Sequence, residues 1–147
     1  MSEINYDEAL RLDRQLCFPL YAAARQVTAL YTPHLKELGL TYTQYIVFLV
    51  LWERDGITVG ELGQRLYLDN GTLTPLLKKL EQMGYITRSR STEDERVVKI
   101  SLTDEGIALK ERVREIPLKV GSCIKLSESD AADLYTILYK LLGEADR

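Results

Sequence analysis

The stretch 69–102 constrains this chain most. Asp69 is a polar cap ahead of an amphipathic run in which Leu73, Leu76, Leu77, Leu80 and Met83 recur at helical spacing until Gly84 stops it. Residues 85–90 and 97–102 then alternate in polarity across a charged tip, which predicts two short strands in a hairpin. A helix, a stop and a two-stranded ribbon in that order follow the winged helix-turn-helix plan. The helix buries its leucines and leaves Thr72, Thr74, Pro75, Lys78 and Lys79 outside, with Pro75 in the first turn, where a proline costs little.

Upstream, residues 57–59 read as a short strand, 59–66 as the first helix of the motif and 67–70 as its turn, so the module spans about 57–102. A helix starting near Thr43 is apolar on most sides and is the expected centre of the core. Leu12, Leu16, Leu20, Ala23, Val27, Leu30 and Leu35 form the stripe of a long first helix, ended by Pro33 and Gly39 and bent or broken at Pro19. Thr103 caps a later helix whose stripe, Ile107, Leu109, Val113, Ile116 and Val120, is interrupted at Pro117. Ser127 opens the last one, with Leu134, Ile137, Leu138, Leu141 and Leu142 on its apolar face. The chain of 147 residues suffices for one domain with its own core, residues 1–147. The fold class is therefore mainly α with a small β-wing. The stripes at about 8–38 and 103–147 lie outside the winged module and need burial, which a symmetric homodimer with N- and C-terminal dimerisation helices would provide.

With 46% hydrophobic and 28% charged residues and no long apolar run, the composition is that of an ordinary globular protein with no membrane partner. The acidic first eight residues lack a secretory n-region, so a cytoplasmic location is expected. The net charge of −3 conceals a basic window: residues 76–90 hold Lys78, Lys79, Arg88 and Arg90 against Glu81 alone. Residues 127–147 are acidic, with Glu128, Asp130, Asp133, Glu144 and Asp146 against Lys140 and Arg147. This polarity suits a dimer that points one face at double-stranded DNA.

On that face Thr72, Thr74 and Lys78 are placed to approach base edges in the major groove, and Lys79, Arg88 and Arg90 to meet phosphates. Arg96, oriented by Asp94 at the hairpin tip, suits the narrow and negative minor groove. Each of these charges taken singly is equally well a solvated surface group.

Cys17 and Cys123 both lie in the expected dimerisation helices. A free cysteine is ordinarily a small buried hydrophobe. Together with the single His34, the two make a poor metal-ligand set, so neither a metal nor a cofactor is expected. A reactive cysteine must be thiolate, favoured by donors such as tyrosine hydroxyls or by a helix N-terminus.

Asp94, Glu95, Arg96 and Val97, followed by residues 100–106, resemble the wing signature of MarR-type transcriptional regulators. The resemblance covers nearly the whole chain and implies a homodimer with interlaced terminal helices on a pseudo-palindromic operator. Residues 12–18, 20–21, 40–45, 66–69 and 71–75 resemble the organic hydroperoxide resistance regulator branch of that family. In that branch the cysteine at the position of Cys17 is the peroxide-reactive thiol, and tyrosines at the positions of Tyr31 and Tyr42 hydrogen-bond it from the other subunit. Cys123 matches the resolving cysteine of two-cysteine members, which captures the sulfenic acid as an intersubunit disulfide. Capture requires α-carbons within roughly 7 Å, so a larger resting gap implies helix movement that re-spaces the recognition helices and ends repression. Phe18, Leu20 and Tyr21 imply a pocket for organic hydroperoxides. The chain departs from the pattern at Pro19 and at Asn70, where a serine is expected ahead of Gly71 as a DNA contact.

Two other readings stand beside this one. A reversible phenolic ligand in the dimer crevice would release DNA without thiol chemistry. A thiol peroxidase would share the substrate, but no Ser/His/Asp or Cys/His constellation supports turnover, and no catalytic residue is expected.

Overall fold

The computed structural model describes residues 5–144. The first four residues of the acidic N-terminal segment, and the charges at Asp146 and Arg147, lie outside them. The order is α1 (Tyr6–Ala9), a 3-10 turn over Leu12–Arg14, α2 (Cys17–Ala29), α3 (Thr32–Lys36), α4 (Tyr42–Glu53), β1 (Ile57–Thr58), α5 (Val59–Leu66) and α6 (Asn70–Gln82). It continues with β2 (Ile86–Arg90), β3 (Val98–Leu102), α7 (Asp104–Val113), α8 (Ile116–Cys123) and α9 (Glu128–Leu141).

Side-chain caps set most of the helix starts. The Thr41 hydroxyl accepts from the Gln44 backbone N–H while the Gln44 side chain accepts from that of Thr41, a reciprocal box that opens α4. Thr58 and Glu61 repeat the device at α5, which is why β1 ends at Thr58 and Val59 turns helical. Asp69, Thr103 and Ser127 cap α6, α7 and α9. Gly84 sits at φ +81°, where a side chain would be strained, and so turns the chain out of α6 into the wing.

The core gathers around α4. Tyr45, Val47, Phe48 and Leu51 are buried there, against Leu62 of α5, Leu73, Leu77 and Leu80 of α6, Ile86 and Ile100 of the sheet and Leu109 of α7. Each such side chain contributes about 1.5–3 kcal/mol of burial free energy, so this cluster is what holds the subunit together. The three strands are antiparallel in the order β1-β3-β2, with Ile100 facing Ile57 on one side and Arg88 on the other. Trp52 anchors α7 by donating its indole N–H to the Gly106 carbonyl at 3.0 Å.

The terminal helices differ from this. Among the described residues α1, α2 and α9 contribute no buried side chain. Leu10, Leu16 and Leu118 are each 77–80% exposed. Large apolar side chains left this exposed are surface that a second subunit would cover.

The long first helix expected from Leu12 is corrected. Leu12 lies in a 3-10 turn, Leu16 is the residue before α2, and the helical path is interrupted again between Ala29 and Thr32. Pro19 therefore falls in the first turn of α2, where its missing N–H has no helical partner to lose, and it marks the break in the expected helix without bending α2 itself. Pro117 occupies the second position of α8 and marks a new helix start in the same way.

Candidate functional site

The face that presents α6 and the wing is built from the helix start. Asp69 caps α6 by accepting the Thr72 backbone N–H at 2.7 Å, and this bond holds its carboxyl below the usual carboxylate range. Asn70, Gly71, Thr72, Thr74, Lys78 and Lys79 are all exposed. The Thr74 hydroxyl donates to the Asn70 carbonyl at 2.7 Å, which fixes its direction and leaves its oxygen free to accept. Beside them a cleft of about 380 Å³ opens between the starts of α5 and α6 and the wing, with Gly60, Thr74 and Arg96 among its walls.

At the wing tip Asp94 accepts from the Arg96 backbone N–H at 3.0 Å and from its Nε at 3.2 Å. These bonds keep the Asp94 carboxyl ionised below the ordinary range and aim a guanidinium that is 91% exposed. Arg90 reaches back to the Glu95 carbonyl at 3.4 Å.

Arg88 behaves differently from the expectation of a free phosphate ligand. Its side chain is only 25% exposed and its guanidinium donates to Glu81 Oε1 at 3.0 Å, while its backbone N–H donates to Glu81 Oε2 at 3.0 Å. Glu81 and Arg88 thus join the recognition helix to β2.

The turn of the motif holds a residue that the sequence reading passed over. Tyr67 adopts left-handed φ and ψ of 54° and 38°, the one non-glycine among the described residues to do so, and closes α5. Its hydroxyl hydrogen-bonds the Glu144 carboxylate just beyond α9. Glu144, just past α9, is thereby tied to the helix-turn-helix turn.

The two cysteines are free and exposed on the subunit. Cys17 is the first residue of the 13-residue α2, where the aligned peptide dipoles favour negative charge. Cys123 is the last residue of α8, its thiol directed at the Lys119 carbonyl at 3.4 Å. No group of metal-ligating side chains occurs among the described residues.

Tyr31 and Tyr42 come together in a cluster that also contains Tyr45. Ring centroids are 5.0 Å apart for Tyr31 and Tyr42, 5.4 Å for Tyr31 and Tyr45 and 6.1 Å for Tyr42 and Tyr45. Burial raises all three phenols, Tyr45 furthest, to about 12. They are therefore neutral donors throughout the physiological range. In the sequence Tyr45 opens the apolar run of α4, although its i+3 spacing from Tyr42 puts the two on one helix face.

Comparison with known proteins decides the family. Residues 29–113 match the family described as transcriptional regulator SarA/Rot. The chain is 49% identical over 138 residues to the organic hydroperoxide resistance transcriptional regulator of Bacillus subtilis, covering 94% of both chains. This protein belongs to the MarR family, in its organic hydroperoxide resistance regulator branch. The HTH-type transcriptional regulator SarZ of Staphylococcus aureus is 44% identical over 139 residues, 95% of this chain and 94% of its own. Among solved structures, reduced AbfR bound to DNA matches with a TM-score of 0.78 and 38% identity over 92% of this chain and 93% of that one. AbfR, from Staphylococcus epidermidis, is also known in a disulfide-formed state. That state matches with a TM-score of 0.66 and 39% identity over 93% and 96%. MarR-family members are dimers, and this one is a DNA-binding transcriptional regulator of winged-helix fold rather than an enzyme. No helix among its described residues is long and apolar enough to cross a membrane.

Proposed function

We propose that this MarR-family protein is a cytoplasmic repressor that leaves its operator when an organic hydroperoxide oxidises Cys17. The observation that carries the proposal is Cys17 itself, a free and exposed thiol at the positive end of α2 on a face kept for a second subunit.

The chemistry balances within the dimer and its signal. Cys17 thiolate attacks the hydroperoxide, an S–O bond forms, the O–O bond breaks, and the departing alkoxide takes up a proton to become the alcohol. The partner subunit's Cys123 thiol then attacks the sulfenic sulfur, an S–S bond forms and the hydroxyl leaves as water. Tyr31 and Tyr42 would supply donors to the thiolate from across the interface.

In the reduced state the two modules, about 57–102 in each subunit, would sit on a pseudo-palindromic operator held by the arms at about 8–38 and 103–147. Thr72, Thr74 and Lys78 would approach base edges from α6, with Asn70 and Gly71 at its start. Lys79 and Arg90 would neutralise phosphates, and Asp94 would steer Arg96 into the minor groove. Arg88 serves this face mainly by fixing the wing. The chain matches DNA-bound AbfR better, whether reduced or overoxidised, than its disulfide form, which supports a rearrangement on disulfide formation.

The test is an operator titration with and without cumene hydroperoxide. Wild type should be released and Cys17→Ser should stay bound. Equal release of both removes the thiol mechanism.

A cavity of about 540 Å³ between α2 and α4, walled in part by Arg25, Gln26 and Tyr42, favours a second reading in which a phenolic anion is the signal. Dithiothreitol separates the two, since it reverses disulfide-driven release and leaves ligand-driven release unchanged.

A further inference from the structure

The tyrosine cluster holds one phenol more than the thiolate requires. Tyr45 is only 2% exposed, and its ring packs on both Tyr31 and Tyr42. A core ring at that position needs no hydroxyl, and phenylalanine would pack as well. Yet among the described residues neither Tyr45 nor its two neighbours has a hydrogen-bond partner for its hydroxyl. The Tyr45 oxygen is also absent from the buried unsatisfied atoms, so the small exposure that this residue retains includes that oxygen. A buried ring that brings its hydroxyl just to the surface leaves that oxygen open to a polar atom from outside the chain.

Thiolate and hydroperoxide together present more acceptors than two phenols satisfy. The sulfur takes donors while it is anionic, and the oxygen that departs as alkoxide develops negative charge as the O–O bond breaks. A donor held by two neighbouring rings and fixed before reaction stabilises such charge without reorganising.

We propose that the Tyr45 hydroxyl is a third donor of the sensing site, serving the oxygen atoms of the hydroperoxide rather than the sulfur. The proposal rests on the reading of Cys17 as the peroxide-reactive thiol. Tyr45 hydrogen-bonds the leaving oxygen in the transition state. It stays protonated itself, while water supplies the proton that completes the alcohol.

The test uses the full-length dimer in a Cys123→Ser background, so that Cys17 is the one thiol counted. Two rates are measured for Tyr45 and for Tyr45→Phe: oxidation by cumene hydroperoxide, and alkylation by iodoacetamide, which has no peroxide oxygen to bind. Tyr45→Phe should slow oxidation about tenfold, the order of one lost hydrogen bond to an oxygen gaining charge, with alkylation unchanged. An unchanged oxidation rate overturns the proposal. A parallel fall in both rates also overturns it, because it makes Tyr45 a packing residue that acts through Cys17. If Cys17 with Tyr45 intact fails to react with the peroxide at all, the underlying reading fails instead, and the two failures are told apart.

Discussion

Glu81 grips Arg88 twice, taking the backbone N–H on one carboxylate oxygen and the guanidinium on the other, both at 3.0 Å. The angle between the recognition helix and the wing is set by this clasp across Gly84. Glu81→Ala should cost about 0.5–1 kcal/mol, since the pair is partly exposed and screened. Operator affinity should fall several-fold more than that stability loss alone accounts for. Thermal melts together with operator titrations check both, and unchanged affinity would show that the wing needs no clasp.

Acid should loosen the same region. The Arg88 guanidinium foremost holds Glu81 below its ordinary value, and backbone N–H bonds foremost do so for Asp69 and Asp94. Carboxyls lowered on folding add stability that is present above their unfolded values and is lost as pH falls through the folded ones. The melting temperature should therefore be level near neutrality and decline below the usual carboxylate range. Glu81→Gln should flatten the part of that decline due to this residue.

Gly106 is a tighter constraint. A β-carbon there would lie 2.2 Å from the Tyr85 carbonyl oxygen, and the Gly106 carbonyl already accepts the Trp52 indole. Gly106→Ala should destabilise by about 1–3 kcal/mol as α7 is pushed off the sheet. Denaturant unfolding measures it, with Gly60→Ala, whose added carbon meets nothing closer than 3.8 Å, as the mild comparison.

Much of this architecture was legible in the chain, for reasons that can be named. Leucines at helical spacing gave α6, alternation gave β2 and β3, and Asp69, Thr103 and Ser127 marked helix starts because their side chains do cap them. The first helix misled because Leu12 and Leu16 keep the apolar spacing without being helical; both are exposed on the subunit, so no core contact holds that stretch in a helix. The Arg88 clasp was hidden because Glu81 meets it only after the chain reverses at Gly84. Tyr45 was hidden by its apolar neighbours, and the Tyr67–Glu144 bond by 77 residues of separation.

Arg96 offers a test of the DNA face. Arg96→Ala should weaken operator binding, with the slope of log affinity against log salt falling by about one for each phosphate-neutralising cation lost. Folding should hardly change, because the side chain is 91% exposed and bonds only its neighbour Asp94. Titrations at several salt concentrations decide it, and a slope and affinity equal to wild type would remove Arg96 from the interface.

The leucines that α2 and α9 leave in water on the single subunit carry a consequence of mass action. If a second subunit covers them, the melting temperature should rise with protein concentration, because whatever binds only the folded chain stabilises it.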